Sequence, residues 1–328
     1  MSQVGKAVRV VLGCLAVSVV TVGCATQPDL TKATFSRTTI PASTGTYTSG
    51  SAAAGSTAAF TLAGQRSVDP CGFLDKNTLG GLGSSTEPPT ADGFDECDVD
   101  LTDSSGNDLD LSITIGEAIS DKPATQIDGL PVAEQKLTDG SACFERIITA
   151  SSPDTGIEVQ ADVKKDPCTP ARQLAQSVIT RLRGNPPKRS NLSGSLAALD
   201  PCTMVDDATA AAAVGANPDK TIDGLYKCDW QGEHTGLTVT FTSGEDPKAD
   251  DAIATPQPVD LGGVTAYTVY STDVFPSCEV KWMTRQTSDG NGEIVDVEFD
   301  NVDKVQVDTC AKAVAVAKVI LPKVPKIS

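Results

Sequence analysis

Hydrophobic and polar residues alternate with a period of two along Asp108-Leu109-Asp110-Leu111-Ser112-Ile113-Thr114-Ile115 and again along Leu237-Thr238-Val239-Thr240-Phe241. That period turns one face of each strand to a core and the other to water. Cys143 to Ala150 and Gly156 to Val163 read as a hairpin, matched by Cys278 to Arg285 and Glu293 to Phe299. Ser104-Ser105-Gly106-Asn107 and Ser288-Asp289-Gly290-Asn291-Gly292 have turn composition. After Cys168 the period changes: Ala171, Leu174, Ala175, Val178, Ile179 and Leu182 share one helical face. Ala311 to Ala317 alternates like a strand, but it follows Cys310 as the first helix follows Cys168, and the repeat predicts a helix. Ala208 to Val214 is also helical and stops at Gly215, whereas Gly80-Gly81 weaken the matching stretch.

These elements recur because the chain is duplicated. Asp69-Pro70-Cys71 returns as Asp200-Pro201-Cys202, and Asp92-Gly93 with Cys97-Asp98 returns as Asp223-Gly224 with Cys228-Asp229, each 131 residues on. Each unit opens with an aspartate suited to an N-cap and a proline suited to the first helical position. The expected fold is α+β. Two tandem modules each hold an antiparallel sheet of four to five strands, with N- and C-terminal helices packed on one face.

The ends add a compartment. Lys6 and Arg9 precede an apolar run, Val10 to Val22, closed by Gly23-Cys24. The run is well short of the ~20 residues a spanning helix needs, so residues 1–23 read as a lipoprotein signal peptide with Cys24 as the lipidated residue. Thr21 departs from the usual leucine of that motif. Residues 24–66 are rich in Ser, Thr, Ala and Gly and read as a flexible tether with a typical reach of ~35 Å. The first module is expected at 67–183 and the second at 199–328. A linker at 184–198 carries Pro186-Pro187-Lys188-Arg189. The formal net charge of −17 repels nucleic acid and anionic lipid headgroups, so membrane attachment falls to the acyl chains. The expected location is the extracytoplasmic face of the cell membrane.

Eight cysteines follow Cys24, and an even number in an exported chain points to disulfides. Four per module allow three connectivities. The first two are 26 residues apart in both copies, which favours Cys71–Cys97 and Cys202–Cys228 and leaves Cys143–Cys168 and Cys278–Cys310. A zinc site is the alternative, but the chain has no CxxC and one histidine.

In the second unit the pattern runs Asp200, Pro201, Cys202, Met204, Val205, then Cys228-Asp229-Trp230, Leu261-Gly262-Gly263-Val264-Thr265-Ala266 and Asp308-Thr309-Cys310. The first unit follows it with Asp69, Pro70, Cys71, Phe73, Leu74, Ile127 to Ala133 and Asp166-Pro167-Cys168, but has Val99 where tryptophan is expected. This pattern resembles a domain-of-unknown-function family of actinobacterial cell-envelope lipoproteins. The resemblance implies location and fold and lends no chemistry.

No catalytic constellation stands out. His234 lies in a turn composition, with nothing marking a nucleophile beside it. Asp98-Val99-Asp100 and Asp108-Leu109-Asp110 put carboxylates on one strand face. A calcium site or a glycosidase-like pair is the sharp reading, and solvation of a wet face is the plain one. Asp289-Gly290-Asn291-Gly292-Glu293 superficially resembles a calcium loop but has Ile294 where glycine is needed. Trp230 and Trp282 are candidate ligand-groove residues, with core anchoring as the plain alternative. The expected function is a non-catalytic envelope binding module for a protein, glycan or lipid, without metal or cofactor. The alternative is a carrier enclosing a lipid or small molecule in an apolar pocket.

Overall fold

All the strands anticipated from alternation form, and shorter ones flank them at the sheet edges. The computed structural model describes residues 57–151, 153–249, 255–286 and 291–326. The signal segment, Cys24, Asp289 and Gly290 lie outside them. The described residues make one compact unit.

The first sheet comprises β1 (Thr90–Asp92), β2 (Glu96–Thr102), β3 (Asp108–Ala118), β4 (Thr125–Ile127), β5 (Leu130–Lys136), β6 (Ala142–Ala150) and β7 (Thr155–Asp162). The second comprises β8 (Asp219–Ile222), β9 (Lys227–Gln231), β10 (Gly236–Gly244), β11 (Gln257–Asp260), β12 (Thr265–Ser271), β13 (Ser277–Gln286) and β14 (Gly292–Asp300). Their spatial orders are β1-β2-β3-β7-β6-β5-β4 and β11-β12-β13-β14-β10-β9-β8, the same topology twice. Each sheet therefore has seven strands, not the four to five expected. The additional β1, β4, β8 and β11 are three or four residues long and largely exposed, so they leave no burial alternation to read.

The helices are α1 (Leu62–Gln65), α2 (Lys76–Leu79), α3 (Cys168–Arg183), α4 (Asp207–Val214) and α5 (Thr309–Ile320). In the first module α3 is the main cover of the sheet, burying Ala171, Leu174, Ala175, Val178, Ile179 and Leu182. In the second, α5 buries Ala313, Val316, Ala317 and Ile320. The second module's expected helix forms as α4 and stops at Gly215, but the opening turns and the first module's N-terminal helix are smaller. Cys71–Phe73 and Pro201–Thr203 are single 3-10 turns, and α2 lasts one turn before Gly80-Gly81. Asp200 caps its turn as anticipated, accepting the Cys202 amide at 3.0 Å; Asp69 accepts the Cys71 amide at 3.1 Å, but Pro70 stands at the N-cap of that turn. The helix layer is thus one long helix per module, with a short turn at its side in the first and the eight-residue α4 in the second.

Four disulfides are present: Cys71–Cys97, Cys143–Cys168, Cys202–Cys228 and Cys278–Cys310. In each module one ties the opening turn to the sheet and the other ties the start of the long helix to a central strand.

Two boundaries move. Residues 57–66 of the expected tether are folded: Ala59, Gln65 and Arg66 are buried, and Gln65 Nε2 donates to Thr149 Oγ1 at 2.8 Å. The expected linker also has fixed partners. Val68 bridges Lys188, Asp69 N donates to the Pro187 carbonyl, and Arg189 N donates to that of Ser67. Further on, Ser195 Oγ and Leu196 N both donate to the Glu293 carboxylate at 2.7 Å.

The modules meet reciprocally. Cys97 pairs with Ile113 as Cys228 pairs with Val239, which makes Gly116 and Thr242 equivalent positions. Gly93 lies against Thr242, and its counterpart Gly224 lies against Gly116. Contact i to j with j to i is the signature of an isologous interface, so the duplicated modules associate as two subunits of a homodimer do. Gly116 has φ +81°, and an added Cβ there would lie 2.0 Å from Leu225 Cγ, so glycine alone allows the approach. Phe94 and Tyr226 pack with ring centroids 5.1 Å apart, and buried Arg66 donates twice to the Leu225 carbonyl and pairs with Asp200 at 3.2 Å. No described helix is long and apolar enough to cross a membrane.

Candidate functional site

Strand alternation sends Val99, Leu101, Leu109, Leu111 and Ile113 inward, which sends the intervening carboxylates outward. What alternation cannot give is their register across strands. Asp100 lies directly opposite Asp110, and Asp110 directly opposite Asp162, so three carboxylates form a row over β2, β3 and β7. Thr102 faces Asp108 at one end of the row, and Asp98 faces Ser112 beside it. Like charges placed directly opposite destabilise a sheet.

Their proton affinities reflect the crowding. Burial, followed by the charges of Asp100, Asp162 and Asp108, raises Asp110 above the ordinary carboxylate range. Asp98 is raised by burial and then by Asp92 and Asp100. Glu96 is pushed up to about 7, by burial first and then by Asp98, Asp92, Asp95 and Glu158. Arg146 also lies on this face, but its guanidinium is committed to Glu158 at 2.5 Å and Asp121 at 2.9 Å. Among the described residues, no ion pair reaches Asp98, Asp100, Asp108, Asp110 or Asp162.

The second module provides an internal comparison. Its outer face also has acids in register, with Asp229 and Glu298 flanking Thr238, and Glu298 opposite Glu279. Here cations are built in. Lys281 lies 2.6 Å from Glu279 and 3.9 Å from Asp296, and Lys227 lies 2.7 Å from Asp223. Glu298 and Asp300 are still raised there, by burial first and then by neighbouring carboxylates, so the second face is compensated in part, while no ion pair among the described residues reaches the row of Asp100, Asp110 and Asp162.

The tryptophans take the plain alternative. Trp230 and Trp282 are each 1 % exposed, on the inward faces of β9 and β13, so neither lines a groove. Trp230 shares its cross-strand row with Leu237, Phe299 and Cys278. His234 is half-exposed, with Nδ1 2.8 Å from Asp303 Oδ2 and Nε2 3.8 Å from Glu233. The hydrogen bond to Asp303 raises its affinity for a proton. Glu134, Cys143 and Cys168 are the one set of donor atoms with metal-like spacing among the described residues, and both sulfurs are held in the disulfide.

Two features are not apparent in either module taken singly. Glu145 is fully buried on the inward face of β6, where its neighbours are Cys143 and Ile147. Neither of its carboxylate oxygens has a hydrogen-bond partner among the described residues. Arg172 Nε approaches at 3.5 Å from α3, and the same guanidinium also pairs with Glu134. Burial pushes Glu145 up to about 7. Counted from the disulfide cysteines, the second copy has Val280 and Val314 in place of Glu145 and Arg172. The other feature is a surface groove of about 670 Å³ over Val99. Aligning the copies residue by residue is the signal that would have revealed both.

No protein-family model, curated protein or solved structure matches this chain.

Proposed function

We propose that the chain is a non-catalytic, lipid-anchored binding protein of the extracytoplasmic membrane face, whose first sheet recognises a cationic polypeptide segment. The observation that carries this reading is the row of Asp100, Asp110 and Asp162, which no ion pair reaches among the described residues, set beside a twin face into which Lys281 and Lys227 are built. A row that works against the stability of its own sheet is explained when a partner supplies the missing cations. The binding reading is favoured over enclosure of a cargo because the volume between each sheet and its helix is filled by side chains such as Trp282, Phe241 and Leu174.

The test is titration of the full chain with an oligolysine peptide. Asp100→Asn with Asp110→Asn should raise the melting temperature, through roughly 0.2–1 kcal/mol of relieved repulsion per pair, while weakening peptide binding. Equal binding by the variant and the parent would remove the proposed face. For the anchor, Cys24→Ser should leave the protein unprocessed or release it from membranes. Unchanged mature mass and membrane partition in that variant would count against lipidation.

A further inference from the structure

The groove over Val99 is explained by comparison with the other module. Val99 and Trp230 are equivalent, each two residues beyond the sheet cysteine of the first disulfide. In the second module the indole of Trp230 fills the space beneath the opening turn. Lys220 closes it, with Nζ 5.5 Å from the ring centroid and donating to the Cys202 carbonyl at 2.6 Å. In the first module valine replaces the indole, and Pro89 occupies the position of Lys220. The result is an open groove with Val99 as its floor and Leu74, Leu79 and Pro89 among its walls. Asp75, already paired with Arg181 at 3.1 Å, Lys76 and Glu87 bring charged groups to its lining.

We propose that this groove receives an aromatic side chain of a polypeptide partner, flanked by basic residues. The second module shows the group that this part of the fold accommodates: a tryptophan side chain packed under the Asp-Pro-Cys turn with a cation over its face. An external indole in the first module would meet apolar walls and supply its own cation, which Glu87, a lining carboxylate in no ion pair among the described residues, favours and cation–π attraction reinforces. The groove opens on the inward side of β2, opposite the carboxylate row, so this site is independent of the acidic face. One can fail without the other.

The experiment uses the full chain and the tripeptide Lys-(5-fluorotryptophan)-Lys, followed by fluorine NMR. One saturable site is expected. Val99→Trp, which copies the second module, should weaken binding by at least about tenfold, because a filled hot-spot pocket loses its anchor. Pro89→Lys is the second variant. It places a competing cation at the mouth and should also weaken binding, whether or not Val99→Trp folds. Binding that is absent in the parent, or equal in the parent and both variants, would overturn the site. Free 5-fluoroindole binding as tightly as the tripeptide would overturn the polypeptide assignment in favour of a small aromatic ligand. Because the tripeptide is itself cationic, the titration is repeated in the Asp100→Asn with Asp110→Asn background, which removes the acidic face as a second site; loss of the saturable fluorine signal there would place it on the carboxylate row and overturn the groove.

Discussion

Trp282→Ala should destabilise the protein by roughly 3–5 kcal/mol, the range for removing a fully buried aromatic side chain from a core. Trp282 is 1 % exposed on the inward face of β13, directly opposite Val295, and it stands where the first module has Ile147. No neighbour can move in to fill a space of that size, because α5 is held at its start by Cys278–Cys310. Trp282→Phe should cost much less. The indole Nε1 has no hydrogen-bond partner among the described residues, so phenylalanine removes an unsatisfied donor along with part of the buried area. Chemical denaturation of the two variants measures both effects. A loss below ~1 kcal/mol for the alanine variant would mean that Trp282 is not a core anchor.

Raising the pH from 5 to 8 should loosen α3 and leave α5 comparatively unaffected. The cause is Glu145, which burial pushes up from an ordinary 4.5 to about 7. The folded state therefore holds this proton more tightly than the unfolded state does. The associated stability is complete below pH 4.5 and is lost as the pH rises through 7, amounting to roughly 3 kcal/mol across the interval. The groups facing Glu145 are Arg172 from α3 and Glu134 from β5, with Lys136 further along β5 opposite Cys143. The half-exposed Arg172 guanidinium is shared between two carboxylates and offsets the buried charge only in part. Glu96, Asp98, Asp110 and Glu117 are raised as well, so the whole first module should be most stable in mild acid. Hydrogen exchange along α3 and α5 at the two pH values, corrected for intrinsic rates, separates Glu145 from these others. Glu145→Gln should remove most of the α3 dependence. A dependence that persists unchanged in this variant would assign the effect elsewhere.

Much of the architecture is legible in one dimension. The period-two runs at 108–115 and 237–241 become β3 and β10, and the helical face from Ala171 to Leu182 is the buried face of α3. The constant interval of 26 residues separates Cys71 from Cys97 and Cys202 from Cys228, and both pairs are bonded. Each of these signals is local, or is carried by the repeat. The short strands β1, β4, β8 and β11 escaped notice because an exposed edge has no alternation, and their hydrogen-bonding partners supply what holds them.

The sequence by itself determined the duplication, the central strands, the long helices and the cysteine pairs, because periodicity and spacing encode which residues must be buried or joined. Tertiary structure decided everything that depends on register and on contact between distant segments. It set Asp100, Asp110 and Asp162 in one row, turned both tryptophans into the core, and placed Glu145 beneath Arg172. It joined the two copies through Gly93, Gly116 and Gly224. A carboxylate at position 110 or 145 reads alike in the sequence. Only the packing around it settles whether water, a neighbouring carboxylate or a closed hydrophobic layer meets its charge, and its chemistry follows from that.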